Sequence, residues 1–349
     1  MRTVANHEYL HLPHRACICF TLYMPNQPLK IWCNLRFPAK ADELLRAGVQ
    51  PHQFFLADHL QDCNLANGAP DPRLATANVV FGQIDPAAVL QTPSIQWIHL
   101  TTAGYERYDR AEFLEELRRR GTILTNSSDV YSEPCAEHLL AMMLSFSRRL
   151  PEAMQNQQTL RGWPAAELRS RSSLLAGQTV LLLGYGHIAR RFCELLAPFE
   201  AQILIIRRTV SGSEAAPTYP QPKLQELLPT ADHLANLLPG GPATLNFIST
   251  PQLALMKPSA FYYTIGRGTT TDQQALVAAL QSGQIAAAYV DVTDPEPLPP
   301  DHPLWTTPNC YITPDTAGGQ VAEPFRVVEH FLENLRRFTN RQPMKNRIV

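Results

Sequence analysis

The stretch QTVLLLGYGHIARRF, residues 178–192, decides the fold of this chain. A continuous apolar run leads into glycines, and the residues after them carry apolar side chains at helical spacing. We therefore predict a buried strand, a tight turn and an amphipathic helix, followed by a second strand at AQILIIRRT (201–209). A β-α-β unit of about 30 residues with G-x-G-x-x-A at its first turn is typical of a dinucleotide-binding site.

The residue types in this turn suit a pyrophosphate. Gly184 permits the tight turn, Gly186 lets the backbone approach the phosphates, and Ala189 is small enough for close packing of helix on strand. The N-terminus of the helix adds N–H donors and a partial positive charge.

The end of the second strand bears on the choice of cofactor. An NAD site usually has an acidic residue there, whereas this chain has Arg207 and Arg208. With no carboxylate predicted nearby to repel a 2′-phosphate, NADP(H) is favoured and NAD(H) stays possible. Alternatively, both arginines point to solvent.

Alternating strands and helices continue on both sides of this unit. Further strands are predicted at 29–34, 77–83, 95–104, 233–239, 260–266, 285–291 and 310–313, and helices at 39–48, 133–150, 272–282 and about 320–338. The helix at 272–282 is expected to begin with a capping box of Thr271 and Gln274. This pattern predicts an α/β protein with two Rossmann-like, doubly wound parallel sheets.

The last helix is expected to return to the first domain, so the cofactor domain would be inserted into a discontinuous substrate domain. The predicted units are a disordered leader (1–23), a substrate domain (24–128 with 319–349) and a dinucleotide-binding domain (129–318). The histidines and cysteines of the leader could also bind a metal, but no element is evident to present them together. No metal site is predicted.

Composition excludes several functions. The 349 residues carry a net charge of −1, with 45% hydrophobic and 17% charged residues, which argues against a nucleic-acid or anionic-membrane binder. No apolar run approaches the roughly 20 residues of a membrane helix. Seven irregularly spaced cysteines suggest reduced thiols and a cytoplasmic location.

Four ordered motifs, over about residues 95–320, carry a family resemblance. They are LLAGQTVLLLGYGHIARRF (174–192), LALMKPSAFYYTIGRG (253–268), AAAYVDVTDPEPLPPDHPLW (286–305) and PNCYITPDTAGG (308–319). In these motifs the chain resembles the D-isomer-specific 2-hydroxyacid dehydrogenases. The resemblance implies a homodimeric oxidoreductase that transfers a hydride between NAD(P)H and a small 2-oxo or 2-hydroxy acid, similar to a glyoxylate or hydroxypyruvate reductase.

The resemblance also implies a catalytic set. Arg267 matches the arginine that binds the substrate carboxylate and reacting oxygen, and Glu296 matches the glutamate that orients the catalytic histidine. The run Thr102-Ala103-Gly104 occupies the place of the substrate-carboxylate loop. Where the family has a histidine after Thr-Pro, this chain has Asp315.

Asp315 is the wrong residue type for a simple proton donor, because an isolated aspartate with a pKa of about 3.9 is ionised at neutral pH. Three hypotheses stay open. Asp315 and Glu296 could share one proton, which would raise one pKa. Another group or a water could deliver the proton in a slow enzyme. Alternatively, the protein is a catalytically weak or inactive nucleotide-binding homologue that acts as a sensor or binding protein.

The remaining candidates are assigned by position. The residues predicted to bind the cofactor are Gly184, Tyr185, Gly186, His187, Ile188, Arg207, Arg208, Leu238, Pro239 and Asp291. His99 is the best-placed substitute for the missing histidine, although a core or surface role is favoured for it. Trp163 could line the cleft, but a packing role is favoured.

Overall fold

The computed structural model describes residues 28–61 and 71–349, which form two lobes of parallel sheet covered by helices. The strands are β1 (Lys30–Leu35), β2 (Gln53–Gln61), β3 (Val79–Phe81), β4 (Trp97–His99), β5 (Ile123–Thr125), β6 (Thr179–Leu183), β7 (Gln202–Arg207), β8 (Thr218–Pro220), β9 (His233–Asn236), β10 (Phe261–Thr264), β11 (Ala287–Val290) and β12 (Cys310–Ile312). The helices are α1 (Ala39–Gly48), α2 (Pro86–Leu90), α3 (Ala111–Arg120), α4 (Ser128–Ser147), α5 (Leu150–Gln158), α6 (Ala165–Arg171), α7 (His187–Leu196), α8 (Leu224–Leu227), α9 (Thr250–Ala254), α10 (Gln273–Gln281) and α11 (Glu323–Thr339).

Both sheets are parallel, so the predicted fold class is confirmed. The first sheet has the order β2-β1-β3-β4-β5, and the second has the order β12-β11-β10-β9-β6-β7-β8. Strand β6 lies at the point where the second order reverses, between β7 and β9. The carboxyl ends of strands at such a point form a crevice for ligands. The predicted disordered leader lies outside the described residues.

Helices α4 and α7 cover one face of the second sheet. Apolar side chains of α4, including Leu139, Met143 and Phe146, share one buried cluster with Phe192 and Leu196 of α7. The structure begins α4 at Ser128, five residues before the predicted start, and the side chain of Asn126 accepts from the N–H of Ser128 at 3.3 Å. This early start brings the N-terminus of α4 close to that of α7.

Helix α11 packs against the first lobe, as predicted. The ring of Phe331 stacks on Phe81 and Trp97, with centroids 4.0 and 5.2 Å apart. Val327 and Leu335 of the same helix belong to the core on that face of the first sheet. This return is consistent with an inserted cofactor domain, and the domain boundaries themselves stay a prediction.

The predicted capping box at α10 was wrong. The N-cap is Asp272, whose carboxylate accepts from the N–H of Ala275 at 3.0 Å. The hydroxyl of Thr271 bonds instead to the phenol of Tyr262 at 2.6 Å. Because an aspartate caps as well as a threonine, the helix simply begins one residue later. Sequence reading also missed β2, β5 and β8, which are edge strands of the two sheets.

Two further observations concern membrane spans and cysteines. In the described ranges, no helix combines the length and hydrophobicity required to cross a bilayer. Four cysteines there, Cys33, Cys135, Cys193 and Cys310, are free thiols, and burial raises the pKa of each to about 11 or 12.

Candidate active site between the lobes

The glycine turn after β6 has the backbone geometry of a phosphate cradle. Gly184 adopts a left-handed conformation with φ +92°, which an L side chain would strain. Gly186 is the N-cap of α7, and a Cβ built on it would meet no atom within 4 Å. Ala189 is buried against the strand. A pyrophosphate therefore has open space over Gly186 and the N–H groups at the start of α7 as donors.

The side chains next to the turn are held by neighbours. The guanidiniums of Arg190 and Arg207 lie over the ring of Tyr185, at 5.1 and 5.8 Å from its centroid, and the Tyr185 hydroxyl accepts from the N–H of Ala215 at 2.9 Å. The imidazole Nδ1 of His187 lies 2.7 Å from the carboxylate of Asp129 at the start of α4. The His187 side chain is therefore directed at α4, and its backbone N–H remains as a donor for the phosphates.

An acidic residue that sequence reading overlooked lies close to the end of β7. The side chain of Glu214 is 2% exposed, and its carboxylate lies 2.5 Å from Arg207 Nη1. The hydroxyl and N–H of Ser211 also donate to it, and together with Arg207 they lower its pKa to about 2. The expectation that no carboxylate lies nearby was wrong, because the 210–215 loop folds back on the strand. Arg208 is exposed.

Arg267 follows β10 and faces the first lobe. Its Nε donates to Glu106 at 2.7 Å, and its Nη1 donates to the carbonyl of Gly266 at 2.7 Å. A Cβ added to Gly104 would lie 1.9 Å from Arg267 Nη2, so the guanidinium lies directly against the 102–104 loop. The contact is possible because residue 104 has no side chain.

The 102–104 loop itself has unused donors. The carbonyl of Thr102 accepts from Ser127, and the carbonyl of Ala103 accepts from Asn126. In the described part of the chain, the N–H groups of Ala103 and Gly104 make no hydrogen bond. An anion at this loop could therefore accept from the backbone and from Arg267 together.

Asp291, at the end of β11, holds the turn that carries Asp315. It is 3% exposed, and its carboxylate accepts from the hydroxyl of Thr313 at 2.5 Å and from the N–H groups of Thr316 and Ala317 at 3.0 and 3.1 Å. The N–H of Asp315 in turn donates to the carbonyl of Asp291. Asp291 was predicted among the cofactor-binding residues, and this role stays a prediction. Among the described residues, Oδ1 accepts most of these hydrogen bonds, and Oδ2 accepts only from the N–H of Ala317.

Asp315 lies on the cleft in a left-handed conformation, with φ +50°. Burial raises its pKa to about 6, the carboxylates of Glu296 and Asp291 act in the same direction, and Arg267 lowers it. Because the residue stays exposed on one side, solvent screens part of this repulsion. Glu296 accepts from the N–H of Thr293 at 2.8 Å, and within the described residues no hydrogen bond joins Glu296 to Asp315.

These groups surround one cavity of about 1020 Å³ between the lobes. The predicted site residues that line it are Thr102, Ala103, Gly104, Ile188, Arg267, Asp291, Glu296 and Asp315. The others lie outside its lining, around the carboxyl ends of β6, β7 and β9: Gly184, Tyr185, Gly186, His187, Arg207, Arg208, Leu238 and Pro239. A cofactor that spans both groups would run from the glycine turn into the cavity.

Within residues 28–61 and 71–349, no other histidine takes the place of the missing one. His99 is fully buried, with its ring nitrogens near the hydroxyls of Thr125 and Ser127 at 2.7 and 3.2 Å, and burial holds its pKa well below the usual range. The favoured core role of His99 therefore agrees with its position. Among the described residues that line the cavity, none is a histidine. Trp163 is 94% exposed, so neither the cleft nor the packing role predicted for it holds within this chain.

The glycine turn after β6 suits a dinucleotide, and Arg267 with the 102–104 loop suits an anionic substrate. Together they are typical of a two-lobed oxidoreductase that uses a nicotinamide nucleotide. The sequence matches the family model for the NAD binding domain of D-isomer specific 2-hydroxyacid dehydrogenases over residues 140–317. The chain belongs to the D-isomer specific 2-hydroxyacid dehydrogenase family. As a member, it transfers a hydride between NAD(P)H and a 2-oxo or 2-hydroxy acid, and the alternative of an inactive binding protein is not favoured.

Relatives and solved structures agree with this family. The chain is 35% identical over 204 residues to the glyoxylate reductase/hydroxypyruvate reductase of Mus musculus, covering 58% of this chain and 62% of that protein. It is 30% identical over 264 residues to glyoxylate/hydroxypyruvate reductase B of Yersinia pestis (strain Pestoides F), covering 73% and 77%. The structure of a D-isomer specific 2-hydroxyacid dehydrogenase family protein from Aeromonas salmonicida is 27% identical, has a TM-score of 0.73 and covers 93% and 99% of the two chains.

Proposed function

We propose that this protein reduces small 2-oxo acids such as glyoxylate and hydroxypyruvate, with NADPH as the favoured reductant. The observation that carries the proposal is the position of Arg267, which presents its guanidinium to the free N–H groups of the 102–104 loop. The relatives from Mus musculus and Yersinia pestis are named for the same two substrates.

In this proposal Arg267 and the 102–104 loop bind the substrate. A 2-oxo acid has a carboxylate and an adjacent carbonyl in one plane, which a guanidinium fork can hold together. The ion pair between Arg267 and Glu106 is exposed on both sides, so a substrate carboxylate can replace it at little energetic cost. Glu106 then becomes a positioning residue that keeps Arg267 oriented before substrate binds.

A bound nicotinamide nucleotide supplies the hydride. The chain must supply the proton for the oxygen of the reduced carbonyl, and Asp315 is the titratable group on the cavity whose pKa is raised to about 6. The protonated form of Asp315 can donate, and it is populated below that pKa. Burial and the neighbouring carboxylates of Glu296 and Asp291 raise this pKa, and among the described residues no hydrogen bond joins Asp315 to Glu296.

The proposal is tested by NADPH oxidation with a panel of 2-oxo acids at mildly acidic pH. We expect turnover with glyoxylate and hydroxypyruvate, and formation of the matching 2-hydroxy acid. If none of the panel is reduced at any pH while NADPH still binds, the proposed function is wrong.

The end of β7 supports the preference for NADPH. Arg207 is engaged by Glu214 and by the ring of Tyr185, so Arg208 is the guanidinium with freedom to approach a 2′-phosphate. Glu214 is saturated by donors of its own loop and by Arg207, which reduces its repulsion of a phosphate. NADH is expected to work less well rather than not at all.

We further propose that the protein is a cytoplasmic homodimer. Apolar side chains are exposed in and after α5: Leu150, Met154, Leu160, Trp163 and Leu174. A second copy that covers them would remove a large apolar area from water. Light scattering after size exclusion tests this, with a dimer expected for the wild type and a monomer for Trp163→Glu. A monomeric wild type would contradict it. The free thiols of the described residues support the cytoplasmic location, because a reducing compartment keeps thiols unpaired.

A further inference from the structure

The cavity lining carries charges of both signs. Arg267 provides a cation at the 102–104 loop, with Arg36 and Arg107 also on the lining. Asp315 lines the same cavity, in a surrounding that is mainly acidic. The charged and titratable groups that act on it or respond to it are Glu296, Asp291, Glu323, Arg267 and Cys135.

Above the pKa of Asp315, where its carboxylate is ionised, this arrangement is unfavourable for a neutral carbonyl that needs a proton. Reduction of a ketone or aldehyde puts negative charge on the oxygen, which an ionised Asp315 repels and cannot protonate. Reduction of a protonated imine has the opposite demand. The cationic nitrogen is attracted by a carboxylate, and the product amine forms without any proton donor.

We propose that the same cleft reduces the protonated imines that small 2-oxo acids form with ammonia or primary amines, with Arg267 on the carboxylate and Asp315 facing the cationic nitrogen. The inference rests on the proposed function, because the carboxylate end of the substrate would bind in the same way.

The reaction requires only glyoxylate, ammonium and the reduced nicotinamide nucleotide. Glyoxylate and ammonium condense with loss of one water to give the iminium. Its carbon then gains a hydride from the reduced nicotinamide nucleotide, and the π pair of the C=N bond becomes the lone pair of the nitrogen. The product is glycine, and the nucleotide is left oxidised. Asp315 takes no proton in this step, so it acts by charge alone.

The two activities should respond to pH in opposite directions. Below the pKa of Asp315 its carboxyl is protonated and supports carbonyl reduction. Above that pKa it is ionised and favours the iminium. Loss of the negative charge by Asp315→Asn should lower imine reduction about tenfold, since a partly exposed charge pair is screened by solvent.

The test uses the full-length protein with NADPH, glyoxylate and ¹⁵N-labelled ammonium, at pH values below and above the pKa of Asp315. We expect ammonium to raise the rate at least about tenfold at the higher pH, with ¹⁵N-glycine as the product by mass spectrometry. Glu115→Gln, which removes an exposed carboxylate from α3, is the matched control and should change nothing. Asp315→His should gain glycolate formation and lose glycine formation.

A binding measurement gives a readout without turnover. With NADP⁺ present, glycine should bind the wild type more tightly than it binds Asp315→Asn, and glycolate should show the reverse order. Glycolate as the sole product at every pH would overturn the inference and leave the proposed function intact. Absence of both products would overturn both. Glycine formation that is unchanged in Asp315→Asn would remove Asp315 from the explanation.

Discussion

At the carboxyl end of β6 the chain offers mainly backbone to its ligand, whereas at the ends of β10, β11 and β12 it offers side chains. The glycine turn consists of a left-handed Gly184, an open Gly186 and the first N–H groups of α7. The proposed catalytic edge consists of Arg267, Glu296 and Asp315. A backbone site depends on shape, so many side chains around it can vary. A side-chain site changes its chemistry when one residue changes.

The difference explains how this chain can keep cofactor binding and still depart from its family at the proton donor. The turn that carries Asp315 is fixed by the buried carboxylate of Asp291, which accepts from three of its residues. That scaffold positions whatever side chain occupies 315. The identity of the side chain then decides which substrates the cleft can protonate or attract.

The largest effect is expected from removing the guanidinium. Arg267→Ala should lower kcat/KM for glyoxylate by about 10²–10³-fold, because one oriented charge-assisted donor is lost, and should leave the Kd of NADPH unchanged. Steady-state kinetics and calorimetry measure the two. Arg118→Ala, an exposed arginine of α3, is the control and should behave as wild type. Equal losses in substrate and cofactor binding would contradict the separation of the two regions.

The second effect is expected at the 102–104 loop, which lies against Arg267. In Gly104→Ala the new Cβ would fall on Arg267 Nη2, so the guanidinium must move. A displacement of about 1 Å can cost up to 10²-fold in rate, and we expect kcat/KM for glyoxylate to fall by about that factor. Gly162→Ala, where the nearest atom is 3.4 Å away, is the matched control. Unchanged kinetics in Gly104→Ala would show that Arg267 does not need its present position.

The third effect is a pH dependence at Asp315. Its raised pKa means that the donating, protonated form disappears as pH rises through about 6. Above that point, kcat/KM for glyoxylate without amine should fall about tenfold per pH unit. In Asp315→Asn the slope should vanish and the rate should stay low throughout. A profile that is the same in both proteins would exclude Asp315 as the acid.

The fourth effect separates the two glycines of the turn. Gly184→Ala should destabilise the fold by about 1–2 kcal/mol, because an L residue is strained at this φ. Gly186→Ala should leave the free energy of unfolding nearly unchanged, since its Cβ meets nothing, but should raise the KM for NADPH by obstructing the phosphates. Denaturant unfolding and kinetics distinguish them. Similar unfolding curves for both variants would argue against the assigned conformation.

The smallest effect is expected at the surface of the cofactor site. Arg208→Ala should raise the KM for NADPH up to about fivefold and leave the KM for NADH unchanged, because an exposed ion pair contributes little. Arg207→Ala should affect both nucleotides, since Arg207 also holds Glu214 and stacks on Tyr185. If Arg208→Ala weakens NADH as much as NADPH, Arg208 does not recognise a 2′-phosphate.

Sequence patterns were sufficient for features that depend on neighbouring residues. The apolar run of β6, the spacing of Gly184 and Gly186 and the glycines around Arg267 each leave a local signature, and the fold class followed from them. The departure at residue 315 was also visible, because the surrounding motif fixes its position in the turn.

Features that depend on distant contacts left no such signature. Glu106 reaches Arg267 across 161 residues, and nothing in its neighbourhood marks it as a partner. Glu214 returns to β7 only because the 210–215 loop folds back, so the strand end looked free of carboxylates. The hydrogen bonds of the Asp291 carboxylate likewise depend on a turn some 25 residues away.

The most direct test is a crystal structure of the protein with NADP⁺ and oxamate, a stable analogue of a 2-oxo acid. We predict that the oxamate carboxylate lies within about 3 Å of Arg267 and of the N–H groups at 103–104, with Asp315 beside the amide end. If the analogue binds elsewhere while Arg267 stays on Glu106, Arg267 is not the substrate anchor and the proposed chemistry is wrong.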